Sequence, residues 1–214
     1  MKLLQAQRRR AFTLMEGVVV VAVLTVVVAV FLSALYSGPR HVVSKLDCVN
    51  NVKEIDIAFR IWEGDNGDKR PMEVPVALGG AQELIATGNV AGCFQVVSNE
   101  LSVPKILICP EDTQHESATN WDISRRNISY FIGLNATNPL TPSVLSGDDN
   151  LLQNGEAVAA GKVNLWSNSV SWTQDRHRGL GNILMADGSV QTVPRMGFTS
   201  SAGSWLVTNI VVLP

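Results

Sequence analysis

The sequence is poor in the residues from which hydrolases, phosphate-binding enzymes and metal proteins are built. It contains no Gly-x-Ser-x-Gly elbow to expose a nucleophile and no glycine-rich loop to cradle a phosphate. Cysteines number three (Cys48, Cys93, Cys109) and histidines three, with no Cys-x-x-Cys pair, which argues against a structural zinc site. Neither an internal repeat nor a low-complexity tract occurs. Lys and Arg total 17 against 19 Asp and Glu, so nucleic acid, whose phosphates are bound mainly by Lys and Arg, is not expected as a partner.

Charge is missing most conspicuously near the start. From Phe12 to Leu35 the sole ionisable residue is Glu16, and at about 1.5 Å of rise per residue such a helix outreaches the roughly 30 Å of a bilayer's hydrocarbon. Arg8, Arg9 and Arg10 precede it, a basic flank that places the N-terminus in the cytoplasm and the bulk of the chain outside. A cleaved secretory signal would carry a shorter apolar core and a clear small-x-small site. An ordinary signal anchor fits length and charge but gives Glu16 no purpose, since an acidic residue in a membrane helix is costly. A buried core helix fits badly with all-round apolarity behind a basic flank.

A cut between Ala11 and Phe12 would give Glu16 a purpose. It frees an amine at Phe12 and makes Glu16 the fifth residue of the mature chain; in a low-dielectric setting an amine and a carboxylate offset much of each other's desolvation. Four of the 17 basic residues (Lys2, Arg8, Arg9, Arg10) precede the cut, leaving 13 against 19 acidic ones, a formal net charge of −6.

These residues resemble a known family. "RRRAFTLMEGVVVVAVL" is similar to the signal of type IV pilins and type II secretion pseudopilins, with Ala11 where glycine is usual. The resemblance implies cleavage before Phe12 by a prepilin peptidase, N-methylation of Phe12, and residence as a single-pass protein of the bacterial inner membrane with a periplasmic C-terminal domain. It further implies self-association into a filament through Phe12 and Glu16, together with other pseudopilins and an inner-membrane assembly platform. "CVNNVKEIDIAFRIWEGDNGDKRP", "ICPED" and "HRGLGNILMADG", in which His177 precedes Asp187-Gly188 with nine residues between, resemble a pseudopilin-like group found in planctomycete and verrucomicrobial bacteria.

The remaining chain reads as an α+β fold, a long N-terminal helix packed on a small antiparallel sheet. Residues 1–11 form the leader, 12–37 the membrane helix, 38–70 an amphipathic continuation after the Gly38-Pro39 break, and 71–214 the globular domain. Val42, Leu46, Val49, Val52, Ile55, Phe59 and Trp62 recur every three or four residues and predict the buried face of that second helix. Strands are predicted at Ile106–Cys109, Ile128–Leu134 and near Val144–Ser146. A hairpin with a two-residue Asp187-Gly188 turn is predicted between Ile183–Ala186 and Ser189–Val193, both turn positions needing φ > 0.

Candidate sites are sparse. His177 is expected to brace the hairpin, with Asp187 across from it; a metal-binding or catalytic histidine is the weaker alternative. Asp65, Asn66 and Asp68 read as a helix-ending turn ahead of a calcium loop, because no bidentate Glu follows at EF-hand spacing. Asp148 and Asp149 read as turn formers. Pseudopilins bind calcium as a family, but the C-terminal half does not match their loop, so no cofactor is expected. A disulfide is permitted outside the cytoplasm, and Cys93 with Cys109 closes the shorter loop. Trp166 and Trp172 could present a binding surface, although core packing is the commoner fate of such aromatics. The function read from all this is a structural, non-enzymatic subunit of a secretion pseudopilus. A type IV pilus subunit and a membrane-tethered binding module are the alternatives.

Overall fold

Thr13 opens the first helix with a reciprocal cap. Its hydroxyl accepts from the Glu16 amide at 3.3 Å, while the Glu16 carboxylate accepts from the Thr13 amide and hydroxyl, each at 2.9 Å. The helix, α1 (Leu14–Tyr36), is valine-rich, and Leu14–Leu32 is long and apolar enough to cross a membrane, with none of that span buried. The structure, a computed structural model, describes residues 13–36, 40–137, 143–165, 170–196 and 210–214, with side chains over the same ranges except 33–45, 195 and 196. Ala11 and Phe12, the expected processing site, lie outside the described residues, as do Trp166 and Trp205. Residues 1–40 and 41–214 form two separate compact units.

The second unit begins with α2 (Arg40–Asp65). Val52, Ile55, Phe59 and Trp62 are buried as their spacing predicts, and Cys48 and Ala58 complete the face. Leu46, expected among them, is 58 % exposed, and Ile57 and Ile61 also face outward. The inward stripe runs through Cys48 instead, because that sulfur is tied to the core (below). The helix ends as anticipated: Asn66 Nδ2 donates to Trp62 O at 2.8 Å, and Asp68, at φ 57°, donates its amide to Glu63 O. Arg70 then turns inward, donating to the carbonyls of Ala136 and Ala186 at 2.5 and 2.7 Å. It is only 1 % exposed, with Glu63 at 3.6 Å offsetting its charge.

Short helices α3 (Gln82–Ala86), α4 (Val90–Val96) and α5 (Ser98–Leu101) lead to a 3-10 turn at Pro104–Leu107. This turn replaces most of the strand predicted at Ile106–Cys109. Pro104 at its first position fixes φ for a turn and lacks the amide that a ladder needs. The strands follow in chain order: β1 (Tyr130–Gly133), β2 (Val144–Asp148), β3 (Leu151–Gln153), β4 (Glu156–Ala157), β5 (Gly161–Asn164), β6 (Val170–Trp172), β7 (Gly181–Met185), β8 (Val190–Val193), β9 (Arg195–Met196) and β10 (Ile210–Leu213). They make two antiparallel sheets, a six-stranded one in the order β5-β10-β1-β2-β7-β8 and a four-stranded one in the order β4-β3-β6-β9. The single small sheet expected is therefore too modest.

Alternation along the central strands explains how both sheets pack. Tyr130, Ile132, Leu184 and Val212 join the α2 residues in one core. Their neighbours Phe131, Ile183, Met185, Val211 and Leu213 point the other way, into a second core with Leu151, Val170 and Trp172. Burial on both faces leaves no polar alternation to read. Trp172 is 2 % exposed, so it is core and not a binding surface. Gly181 is required beneath it, because a Cβ there would fall about 2 Å from the indole, at 1.8 Å from its nearest atom.

The β7-β8 hairpin differs from its prediction by one residue. Leu184 pairs with Val190, and the Met185 amide donates to Ser189 O, so three residues, Ala186 to Gly188, make the loop. Only Gly188 has positive φ, at 87°, while Asp187 accepts from the Ser189 amide at 2.8 Å. A Cβ on Gly188 would also lie 2.6 Å from both Arg60 Nη2 and Asp56 Oδ2 on α2. Gly188→Ala should therefore lose roughly 1–2 kcal/mol, from left-handed backbone plus displacement of that ion pair. Chemical denaturation is the check; an unchanged midpoint would mean that the hairpin tip does not rest on α2.

Candidate functional site

Four short stretches converge beneath the sheets: Cys109 to His115, Ser129, Asp148 to Asn150, and Asp175 to Gly179. Three of them carry charge next to a bend, and folding gathers all four into one polar cluster. Ser129 is its hub. Its hydroxyl donates to Asp112 Oδ2 at 2.6 Å and accepts from the Cys109 amide, and its carbonyl accepts from Arg176 and from the Asp149 amide. Arg176 is 4 % exposed and bridges Asp112 at 3.2 Å and Asp149 at 2.5 Å. His115 closes the network, its Nδ1 2.7 Å from Asp112 Oδ2 and its Nε2 3.8 Å from Asp149 Oδ2.

The electrostatics follow from burial set against pairing. Burial pushes the Asp112 carboxyl up, but bonds from His115 and Ser129 and the Arg176 charge together hold it well below the usual carboxylate range. Its hydrogen bond raises the His115 imidazole in turn, against the effect of burial. Asp149 is raised by burial despite Arg176. Asp148, wholly buried, is pushed up to about 7, with the Asn182 amide and Arg176 opposing. Asn182 donates to its Oδ2 from backbone and side chain at 2.7 and 3.1 Å, while Oδ1 has no partner among the described residues.

A carboxyl whose folded pKa lies above its unfolded value near 3.9 favours the folded state at low pH and stops doing so as pH rises through the folded value. Asp148 thus sets a window from about 4 to about 7 in which stability falls as pH rises. From pH 5 to pH 7 the loss should be roughly 2 kcal/mol, at about 1.4 kcal/mol per pH unit. Asp148→Asn keeps the shape and should flatten that decline; an equally steep profile in the variant would assign it to another group.

His177 sits at the inner end of the cluster. The turn that delivers it is contorted, with His177, Arg178 and Gly179 at φ 49°, 57° and 77°. Glu111 accepts from the His177 amide at 2.8 Å and lies 3.1 Å from its Nδ1. Nε2 faces Cys109 Sγ at 3.2 Å and Asp148 Oδ2 at 3.8 Å. Asp187 is exposed at the hairpin tip and is not among these partners, so the expected His177–Asp187 brace is replaced by His177–Glu111. Gly188 contributes only to the tip.

The disulfide expectation is also corrected. Cys48 is bonded to Cys109, with Cα atoms 5.2 Å apart, and Cys93 is a free buried thiol pushed up to about 12 by its burial. The shorter loop favours Cys93 by only about 1 kcal/mol. Geometry decides otherwise: α2 presses Cys48 against the Cys109 segment, where Asn51 Nδ2 donates to Ile108 O at 2.9 Å, whereas Cys93 faces the core from α4. Across a separation of 61 residues the bridge contributes about 4 kcal/mol on a loop-entropy basis.

Asp148 and Asp149 are buried participants and not merely turn formers. Glu111 and Asp112 are marked in the sequence only as part of "ICPED", His115 by no motif, and Arg176 only by standing beside His177: "CPED", "GDDN" and "QDRH" are short charged runs at chain bends. The outer part of the cluster, with Asn150, Thr173 and Asp175, lines an open pocket of about 290 Å³. Asp112, His115 and Asp149 could in principle hold a cation there, but Arg176 already occupies both carboxylates. No known protein family, characterised protein or solved structure matches the chain.

Proposed function

We propose that this protein is a pilin-like structural subunit, anchored by α1 and assembled through it into a secretion pseudopilus at the bacterial inner membrane, with the 41–214 unit on the periplasmic side. The observation that carries the reading is α1 itself. It is an uninterrupted apolar helix whose sole acidic residue stands in the first turn, directly after a basic flank and a small-aromatic pair at Ala11-Phe12. A lone carboxylate at that depth is costly unless a cation is brought to it, and a freed Phe12 amine on a neighbouring subunit is a suitable cation. The disulfide is in keeping with an oxidising compartment. Prepilin peptidase and the inner-membrane assembly platform are the partners this reading requires.

Two measurements test it. The intact mass of the protein recovered from membranes should correspond to a chain beginning at Phe12 and carrying one methyl group. Electron microscopy of cells overproducing it should show filaments. An N-terminus at Met1, or one after Ala34 or Gly38, would remove the processing on which the reading depends.

A further inference from the structure

We propose that Cys48, Cys109 and His177 form a closed zinc site in the reduced protein, and that the disulfide and the metal are alternative occupants of the same three side chains. One ligand atom from each lies within 4.8 Å of the other two, and all three residues are buried. Glu111 Oε2 stands 3.1 Å from Nδ1; with the ring proton on that nitrogen, Nε2 turns its lone pair toward Cys109 Sγ at 3.2 Å. Two electron-pair donors facing each other at this distance are poised for a cation. Tetrahedral zinc, with bonds near 2.3 Å to sulfur and 2.0–2.1 Å to nitrogen, places such S and N atoms about 3.5 Å apart. The carboxylate on the far nitrogen of a ligating histidine is the usual outer support of a zinc site.

A water completes the tetrahedron; Asp148, whose Oδ2 is 3.8 Å from Nε2 and whose buried Oδ1 has no hydrogen-bond partner among the described residues, stands outside the three-residue group and holds that water without ligating the ion itself. Two thiolates and a neutral imidazole balance the charge of Zn²⁺, a combination suited to a dry interior. Cys93 supplies the contrast: it is equally buried but belongs to no such group, and its thiol is held neutral. The sequence concealed the site because its sulfurs are 61 residues apart and the histidine is farther still.

The interconversion balances. A dithiol reductant delivers two electrons and two protons, becoming a disulfide itself and opening Cys48–Cys109 to two thiols. Zinc binding then releases those two protons as the sulfurs part to about 3.8 Å. Either state fastens α2 to the Cys109 segment, and only the metal also fastens the His177 turn. With no ligand exposed, the ion is expected to enter before the unit closes and to leave slowly.

The test uses full-length protein in detergent micelles, unfolded and refolded with Zn²⁺ under a phosphine reductant, or oxidised with diamide, then desalted. Reduced wild type should retain one equivalent of zinc and the oxidised form none. Co²⁺ in place of zinc should give thiolate-to-metal charge-transfer absorption. Glu111→Gln should weaken zinc binding roughly ten- to a hundredfold against a chromophoric chelator, Cys48→Ser and His177→Gln should weaken it more, and His115→Gln should leave it unchanged. The proposal is overturned if reduced wild type retains no zinc or gives no charge-transfer band, a result that needs no variant to fold. It is equally overturned if the oxidised protein or Cys48→Ser holds zinc as tightly as the reduced wild type.

Discussion

Arg176→Met unfolds at lower denaturant than wild type, with about 3–5 kcal/mol of stability lost, the range for deleting one partner of a buried ion pair. Among the described residues the guanidinium and His115 are the cationic side chains facing both Asp112 and Asp149, and the two carboxylates have side-chain exposures of 0 % and 8 %. Methionine fills similar volume without charge, so the loss measures stranded carboxylates and not a cavity. Burial by itself raises both carboxyls, and without Arg176 they would take up protons at higher pH. The loss should accordingly be largest near neutral pH and shrink in acid. Adding Asp149→Asn to Arg176→Met should recover part of it. A loss under about 1 kcal/mol would mean that water screens the cluster as it screens a surface pair.

Glu16→Gln, under the proposed function, leaves the protein in the membrane, still cleaved, but without filaments. Glutamine preserves the carbonyl oxygen that accepts from the Thr13 amide and hydroxyl, so the helix start survives and only the charge is lost. Glu16→Val removes charge and cap together and should be equally unassembled. Thr13→Ala is the converse, removing most of the cap while keeping the carboxylate, and should still assemble. If instead Gln assembles normally while Thr13→Ala fails, Glu16 is present as the fourth member of a Thr-x-x-Glu cap and needs no neighbour's amine. Cross-linking of membranes distinguishes monomer from filament in each case.

Local features of the fold were legible where one physical cause acts alone. Helix α1 is read from apolarity, the end of α2 from Gly64 to Asp68, and the β7-β8 hairpin from Asp187-Gly188. Reading failed where a distant partner decides. Cys48 redirects the buried stripe of α2 away from Leu46, Pro104 bends a stretch whose apolar residues suggest a strand, and the second sheet goes unread, although β1 and β7 themselves lie where strands are predicted. The polar cluster was the least legible part. Its members come from four stretches, and what makes Asp112 or Arg176 distinctive is burial against one another, which no spacing encodes. The His177 to Asp187-Gly188 spacing suggests a partner across the hairpin, while the structure supplies Glu111 from 66 residues away.

Strand β10 places residues 210–213 between β1 and β5, inside the six-stranded sheet. A chain still emerging from a ribosome or a translocation channel therefore has the β1 edge of its sheet unpaired and β5 unattached until residue 213 is free. The strands β1, β2, β7 and β8 pair with one another directly and can form without β10, whereas β5 joins the sheet only by pairing with it. Such a chain depends on holding that open edge away from other chains during the interval, and synthesis stalled before Ile210 yields a product whose β1 edge stays unpaired.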